Sequence, residues 1–467
     1  MNPGSIKGVR IAMGALGLFG LVVLAFGLIA LNVPPLVVLA VCVGGILLPI
    51  IVLHPEAGLH LFLFITFFES AGGSERTLTI TKGAGVLVVV GWLLSVAVTR
   101  RSHLTWNSLV LSLSSFVAIS ALSIMPSYDN EVAVRQTLTY VQLFVIMMMV
   151  SSAIRSTGAA QRVLRMLVLG MTIASAHGLL TYGLGYAKTT AGFIGNRNLM
   201  AGYLAFGIPC AYVLFQASRG VLERLAMLIS LPVQFLAMAL TFSRTGMIVL
   251  GVVIMVLGYR LSRERGFRIL AATALMLVII AISLPGAFYD RMASIGSSVK
   301  NQEETWGERV ELSAAGMRMI AAHPFIGVGA GNFPLLVGRY GRSGYIRSGQ
   351  WASHNTYVGV GAESGLGALA AYVAAVVIAF LRLREIIRDG RQVDPRLVLF
   401  AIGVEASLVG FMVSSLSGNF EKIKFLYVFL GLVLALDAIR REHAAAAPAV
   451  PAPVAAAPVG VSFVSAR

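Results

Sequence analysis

Residues 354–382 read HNTYVGVGAESGLGALAAYVAAVVIAFLR, and this stretch decides the fold class. After its polar start the sequence stays apolar up to Arg382, with Glu363 as the one charged residue on the way. A run of this length crosses the roughly 30 Å hydrocarbon core of a bilayer as an α-helix. Because backbone polar groups must be satisfied internally within lipid, the run predicts a transmembrane helix.

Similar apolar runs recur along almost the whole chain of 467 residues, of which 57% are hydrophobic and 12% charged. These fractions are far from those of soluble domains. We therefore predict an all-α polytopic transmembrane helix bundle with about 12–14 spans. The candidate spans are 9–31, 34–53, 57–69, 81–99, 105–125, 132–154, 161–186, 198–217, 222–242, 245–262, 267–287, 354–382, 396–417 and 421–440. The run at 57–69 is too short to cross comfortably, so it is either re-entrant or fused to a neighbour.

The net charge of +16 comes from 36 Lys and Arg residues that lie between the apolar runs. A nucleic-acid partner would require them on one soluble face, so we interpret them as topology signals. With the N-terminus placed in the cytoplasm, most of these residues fall on the cytoplasmic side, as the positive-inside rule requires. Both termini are therefore predicted to be cytoplasmic.

The apolar pattern divides the chain into four regions. Residues 1–287 hold about eleven candidate transmembrane helices, 288–353 form one long polar loop on the outer face, 354–442 return to transmembrane helices, and 443–467 form an Ala/Pro-rich tail. The tail composition predicts disorder. Within the loop, Val310, Ala314, Met317 and Ile320 recur at helical spacing, which predicts an amphipathic helix with these residues on its apolar face.

Two histidines lie on the outer face in this topology, His323 and His354. His323 precedes a proline, a position where helices commonly end. His354 lies beside Ser353, a residue type favoured at helix N-caps. His354 is therefore either a residue at the start of a helix or a catalytic base for chemistry on the outer face.

Arginines occur at the outer ends of several spans, where topology alone would not place them. They are Arg76 in GGSER, Arg197 in GNRN, Arg244 in TFSRTG and Arg309 in GERVE. Simple alternatives exist, because Arg309 is next to Glu308 and near Glu311, and Arg197 is at headgroup depth. Guanidinium groups bind phosphate oxygens bidentately and keep their charge at any accessible pH. Several converging arginines predict a diphosphate site.

Metal chemistry is less favoured, because Asp-x-Asp, His-x-x-x-His and His-Glu-x-x-His patterns do not occur on the outer side. Gly359, Gly361, Gly365 and Gly367 lie within a span, where small residues permit close helix packing. Glu363 is costly in lipid and is expected to face the bundle interior or the outer cavity. There it either orients the His354 ring or satisfies the backbone of a neighbour.

Three stretches together carry a family resemblance: TFSRTG around Arg244, AAHPFIGVGAGNF after Arg309, and SHNTY around His354 followed by ESGLG. They resemble the O-antigen ligase and polymerase superfamily of bacterial inner-membrane glycosyltransferases. The similarity extends over about residues 190–380, and the large outer loop agrees with it.

The resemblance implies an undecaprenyl-diphosphate-linked glycan as donor and a sugar hydroxyl, such as that of lipid A-core, as acceptor. It implies a polysaccharide ligase of the GT-C-like membrane type, surrounded by membrane lipids, without a metal or other cofactor and without nucleic acid. The active site would face the periplasm. His354 matches the family's base, Arg244 and Arg309 match arginines that hold the diphosphate, and Arg76 or Lys82 loosely matches a further basic residue. Arg197 is added from topology.

Two alternatives remain beside the ligase. A polymerase would join repeat units on the same carrier lipid. A solute transporter is suggested by the number of spans and by His177 and Glu405 within them. Transporters collect their charges near the midplane, whereas the unexplained charges here lie at the outer mouth, so we expect glycan transfer.

Overall fold

The computed structural model describes residues 35–67, 80–99, 106–265, 286, 304–342 and 351–446. Over these residues the chain forms fourteen α-helices and no strand, which confirms the all-α prediction. They are α1 Pro35–Leu53, α2 Pro55–Thr66, α3 Ile80–Thr99, α4 Ser108–Leu122, α5 Asn130–Ala153, α6 Thr157–Gly183, α7 Arg197–Ala217, α8 Val221–Leu240, α9 Arg244–Arg265, α10 Glu304–Ala322, α11 Phe333–Tyr340, α12 Thr356–Asp389, α13 Pro395–Ser415 and α14 Lys424–Ala446. The candidate span at 9–31, nearly all of 267–287, and most of the tail lie outside the described residues.

Seven of the described helices are long and apolar enough to cross a membrane, namely α5, α6, α7, α8, α9, α12 and α13. By contrast, α2 has 12 residues. At about 1.5 Å per residue it is shorter than a bilayer core, as expected for the run at 57–69. The last helix, α14, continues to Ala446, past the predicted start of the tail at residue 443.

Helices α7 and α13 form the centre of the bundle. They pack on each other, and α9 and α12 also pack on α13. The apolar window of α13 is 83% buried and that of α7 is 72% buried, whereas the window of α9 is 33% buried. The outer helices therefore keep apolar faces for lipid, while α7 and α13 are enclosed by protein. A buried ion pair joins α9 to α13, because Arg260 Nε donates to Glu405 Oε2 at 2.7 Å.

Helix α12 is interrupted at Gly365, where φ is 84° and ψ is 171°. The loop after α10 lies against this break, and its backbone pairs with that of α12. Leu366 N–H donates to the Pro324 carbonyl at 2.8 Å, and Val328 N–H donates to the Ala362 carbonyl at 2.9 Å. A Cβ atom on Gly365 would lie 2.2 Å from the Phe325 carbonyl oxygen. The break therefore requires glycine both for its positive φ and for this close approach.

Helix α10 forms where the sequence predicts a helix in the long loop, but of the predicted apolar face only Ile320 packs against the buried cluster that α10 shares with α11 and α12. Val310 and Met317 are exposed, whereas Leu312, Ala315 and Met319 are buried against Phe333, Val337 and Ala362. The reason is Gly316, where a Cβ would lie 2.3 Å from Val358 Cγ1. The helix carries two apolar stripes, and the one that includes this glycine can approach α12 closely.

We expect Gly365→Ala to destabilise the fold. Its backbone, with positive φ and ψ near 180°, lies in a region that is almost restricted to glycine and costs a residue with a Cβ roughly 1–3 kcal/mol, and the clash with the Phe325 carbonyl adds to it. Gly367→Ala is the matched control, because its Cβ would meet only Ile119 Cδ1 at 3.5 Å. Thermal unfolding in detergent should show a lower midpoint for Gly365→Ala than for Gly367→Ala. Equal midpoints would contradict this account of the break.

Candidate active site

A cavity of about 260 Å³ opens at the end of the bundle where α7, α9 and α12 begin and α13 ends. Its polar wall residues are Asn196, Asn198, Ser243, Thr245, Arg309, His354, Ser414, Ser417 and Asn419. None of the described residues that form this wall is Asp or Glu. Three helix N-termini also meet here, and each carries a partial positive charge. The cavity is therefore suited to an anionic ligand with hydrogen-bonding groups.

His354 lies in the short segment before α12, and its ring is half-buried in the cavity wall. Its φ is +51°, a conformation that residues with a Cβ rarely adopt. Burial of the ring, and next to it the positive charge of Arg309, lower the pKa of His354 below its ordinary value. Both influences favour the neutral imidazole, the form that is able to accept a proton.

The N-cap of α12 is Asn355, not Ser353. Asn355 Oδ1 accepts hydrogen bonds from Tyr357 N–H at 3.0 Å and Val358 N–H at 3.1 Å. The Ser353 hydroxyl instead donates to the Asn355 carbonyl at 2.8 Å. His354 is therefore outside the helix, one residue before its cap, which leaves its ring directed by the loop backbone.

Arg309 lines the same cavity as His354, and its charge acts on the histidine. Glu311, one of the two acids considered as its partner in the sequence, binds elsewhere. It accepts from Arg318 Nη1 at 2.9 Å and from Arg342 N–H at 2.6 Å. Arg318 therefore takes the pairing role on α10, and Arg309 faces the cavity.

Arg197 and Arg244 are the first residues of α7 and α9, at the same end of the bundle. Each is flanked on both sides by wall residues, Arg197 by Asn196 and Asn198 and Arg244 by Ser243 and Thr245, but neither is itself part of the wall. Arg76 and the side chain of Lys82 lie outside the described residues. The structure thus brings His354 and Arg309 into one wall and leaves Arg197 and Arg244 at its edge.

Residues 225–373 match the family model described as O-antigen ligase. This segment is similar to the O-antigen ligase superfamily. The match runs from the start of α8 to the middle of α12 and includes Arg244, Arg309 and His354, which confirms the resemblance seen in the sequence. None of the curated proteins matches the chain. The match supports a function of the O-antigen ligase or polymerase type.

Glu363, also within the superfamily segment, does not contact the His354 ring. Its Oε2 accepts Gly331 N–H at 2.8 Å and its Oε1 accepts Phe333 N–H at 3.3 Å. The sequence left two roles open for Glu363, to orient the His354 ring or to satisfy the backbone of a neighbour. The hydrogen bonds correspond to the second role, because they satisfy backbone donors at the start of α11. Glu363 thus ties the loop after α10 to α12.

The other residues singled out in the sequence have structural partners. His323 is exposed and its Nε2 lies 3.1 Å from the Tyr340 hydroxyl, outside the cavity wall. His177 stacks on Phe193, with ring centroids 3.8 Å apart. Glu405 is bound by Arg260, as described above. The two groups that suggested a transporter are thus engaged within the bundle.

Sequence reasoning missed the turn between α13 and α14, which places Ser417, Asn419 and Phe420 in the wall. Its sequence, Ser417-Gly-Asn-Phe420, reads as an ordinary polar connection between two spans. Asn196 and Asn198 were also missed, although they flank an arginine that was chosen. One signal in the sequence could have indicated them, because polar residues stand directly beside Arg197 in GNRN and beside Arg244 in FSRT.

We expect Glu363→Gln to destabilise the protein by roughly 1–3 kcal/mol, because the new amide NH₂ cannot accept and one buried backbone N–H loses its partner. Glu131→Gln is the control, since Glu131 is exposed and pairs with Arg135 at the surface, where an ion pair contributes about 0–1 kcal/mol. Chemical denaturation of the purified protein measures both changes. A Glu363 variant as stable as the Glu131 variant would refute the proposed tie.

Proposed function

We propose that this protein is an O-antigen ligase. It transfers a glycan from an undecaprenyl-diphosphate carrier to a sugar hydroxyl of an acceptor such as lipid A-core. The observation that carries the proposal is the joint placement of His354 and Arg309 in one cavity wall, among whose described residues there is no acid. A base and cations suffice when the leaving group is a diphosphate, which departs without protonation. Glycoside hydrolases, in contrast, use a second carboxyl group as acid.

His354 is the general base in this mechanism. Its neutral imidazole takes the proton from the acceptor hydroxyl as the hydroxyl oxygen attacks the anomeric carbon. The bond from that carbon to the diphosphate oxygen breaks, and its electron pair leaves with the diphosphate. Attack from the face opposite the leaving group inverts the anomeric configuration. The lowered pKa of His354 supports this role, because a larger fraction of the imidazole is free to accept a proton.

The arginines stabilise the departing diphosphate. Arg309 is the first candidate because it lines the cavity, and Arg244 and Arg197 border it. Arg76 and Lys82 are included from the sequence. Guanidinium groups pair bidentately with phosphate oxygens, and their effect is strongest where water is excluded. In this proposal the arginines neutralise the negative charge of the diphosphate, a role that a metal ion has in many phosphate-transfer enzymes.

We place the protein in the bacterial inner membrane with both termini in the cytoplasm and the cavity on the periplasmic side. The support is the distribution of basic residues. The end of the bundle opposite the cavity carries Arg155, Arg162, Arg165, Arg219, Arg224, Arg382, Arg384, Arg388, Arg391, Arg396, Arg440 and Arg441. Such an excess marks the cytoplasmic side. The carrier lipid would then present its diphosphate at the outer membrane boundary, where the cavity opens.

A polymerase that uses the same donor is the second candidate, and deletion of the gene separates the two. Without a ligase, the acceptor stays bare while carrier-linked polymer accumulates. Without a polymerase, a single repeat unit is found on the acceptor. Lipopolysaccharide from the deletion strain, resolved by electrophoresis, gives one of these two patterns. A strain with normal lipopolysaccharide and a defect in solute uptake would support a transporter instead.

We expect His354→Ala to fail in restoring the deletion strain, with transfer reduced at least about 100-fold, in the range that loss of a general base produces. His323→Ala is the matched control, because its ring is exposed outside the cavity wall. It should restore normal lipopolysaccharide. Full activity of His354→Ala, with both variants present at wild-type levels in the membrane, would remove the proposed base.

The rate of transfer should depend on pH through His354. The base works when neutral, so kcat should fall as the pH drops through its pKa. Arg309 lowers that pKa, so Arg309→Gln should move the acidic limb of the profile to higher pH, besides lowering kcat. Arg135→Gln, a surface change on α5, should leave the limb in place. A limb that does not move in Arg309→Gln would argue against His354 as the titrating group.

A further inference from the structure

We propose that Asn419 is the positioning residue for His354, and that the turn at residues 416–423 is a clamp that fixes the ring in the cavity. This inference rests on the proposed function, in which His354 is the base. Asn419 lies beyond residues 225–373, the segment that matches the superfamily. Its contact with the histidine therefore comes from the fold of the whole bundle.

The histidine needs such a clamp because its backbone is strained. Among the described residues, Phe242 and His354 are the two non-glycine residues with positive φ, both at 51°. Both adjoin the cavity, since Phe242 precedes the wall residue Ser243. A strained conformation of this kind persists only where surrounding contacts determine it. In a free loop His354 would relax to negative φ, and the ring would leave its present direction.

Asn419 supplies the contact that meets the strained residue itself. The His354 N–H donates to Asn419 Oδ1 at 2.8 Å. The amide of Asn419 is fixed in turn, because its Nδ2 donates to Ser353 Oγ at 2.8 Å, and Ser353 Oγ donates to the Asn355 carbonyl. The Asn419 side chain thus bonds the His354 backbone directly, and it is linked to Ser353 and Asn355 through the Ser353 hydroxyl.

The remainder of the turn is tied to the start of α12. Thr356 Oγ1 donates to the Gly418 carbonyl at 2.8 Å and accepts from Phe420 N–H at 2.8 Å. Asn419 is therefore held between two anchored residues. Its reach to His354 also requires Gly359, where a Cβ would lie 2.7 Å from Ser353 Oγ and 3.2 Å from Asn419 Nδ2. The glycine leaves room for both side chains over the first turn of α12.

Loss of Asn419 should therefore change the direction and surroundings of the imidazole, and the binding of the donor much less. A displaced ring is more exposed and farther from Arg309, the two influences that act on its protonation. Both changes favour the charged imidazole, so the acidic limb of the kcat profile should move to higher pH. A purely structural effect, in which part of the protein is unfolded, lowers the rate equally at every pH and leaves the limb unmoved.

The test uses the full-length protein, purified and reconstituted in liposomes, with carrier-linked O-antigen and lipid A-core from a ligase-deficient strain. For Asn419→Ala we expect kcat to fall at least tenfold, KM for the donor to stay within about threefold, and the acidic limb to move to higher pH. The control is Tyr427→Phe, which removes a hydrogen bond to the same turn, at the Glu421 carbonyl, without touching His354. Its kcat should stay within twofold of wild type.

Wild-type kcat and an unmoved limb in Asn419→Ala would overturn the inference, as would an equal loss in Tyr427→Phe. Should Asn419→Ala fail to fold, Ser353→Ala carries the test, because it removes the anchor of the Asn419 amide. It should show a smaller loss of kcat and a limb shift in the same direction, and wild-type behaviour would again overturn the inference. His354→Ala is measured beside these variants. If it is fully active, the proposed function fails; if it is inactive while Asn419→Ala is normal, only the positioning role fails.

Discussion

At Gly365 the backbone of α12 comes so close to the Phe325 carbonyl that a Cβ would lie 2.2 Å from it. This contact holds the loop after α10 against α12. On one side it holds the loop after α10, and with it the helix that carries Arg309. On the other side the short first part of α12 leads back to His354. Glu363 strengthens this contact between α12 and the loop, since its carboxylate accepts hydrogen bonds from two backbone N–H groups there.

Basic residues are used differently at the two ends of the bundle. At the end opposite the cavity several of them pair with acids, as where Arg440 pairs with Glu385, Asp389 and Asp437. Those pairs bind the ends of α12 and α14 together. At the cavity end, Arg309 shares a wall with amides and hydroxyls, and none of the described wall residues is acidic. Because positive charge in a half-enclosed cavity without a described acid favours anions, the cavity end is better suited than the opposite end to an anionic ligand.

The sequence predicted the described helices well, and two of the residues that it indicated, Arg309 and His354, lie in one cavity wall. Spans were found to within a few residues because apolar length is a direct consequence of the bilayer, as at 396–417 for α13. His354 could be chosen because it is a polar residue at the start of an apolar span, and Arg309 because it is a basic residue on the predicted helix of the outer loop. Asn419 could not, because its role depends on a contact with a residue 65 positions away. The buried face of α10 was also beyond reach, since periodicity gives two apolar stripes and packing against Val358 selects one.

The superfamily match and the cavity cover different parts of the chain. Residues 225–373 contribute Ser243, Arg309 and His354, but Asn196 and Asn198 precede the match and Ser414 to Phe420 follow it. These outlying groups reach the cavity because α7 and α13 pack together at the centre of the bundle. The matched segment therefore holds the residues proposed for chemistry, while the turn proposed to position His354 and much of the cavity wall come from the remainder of the chain.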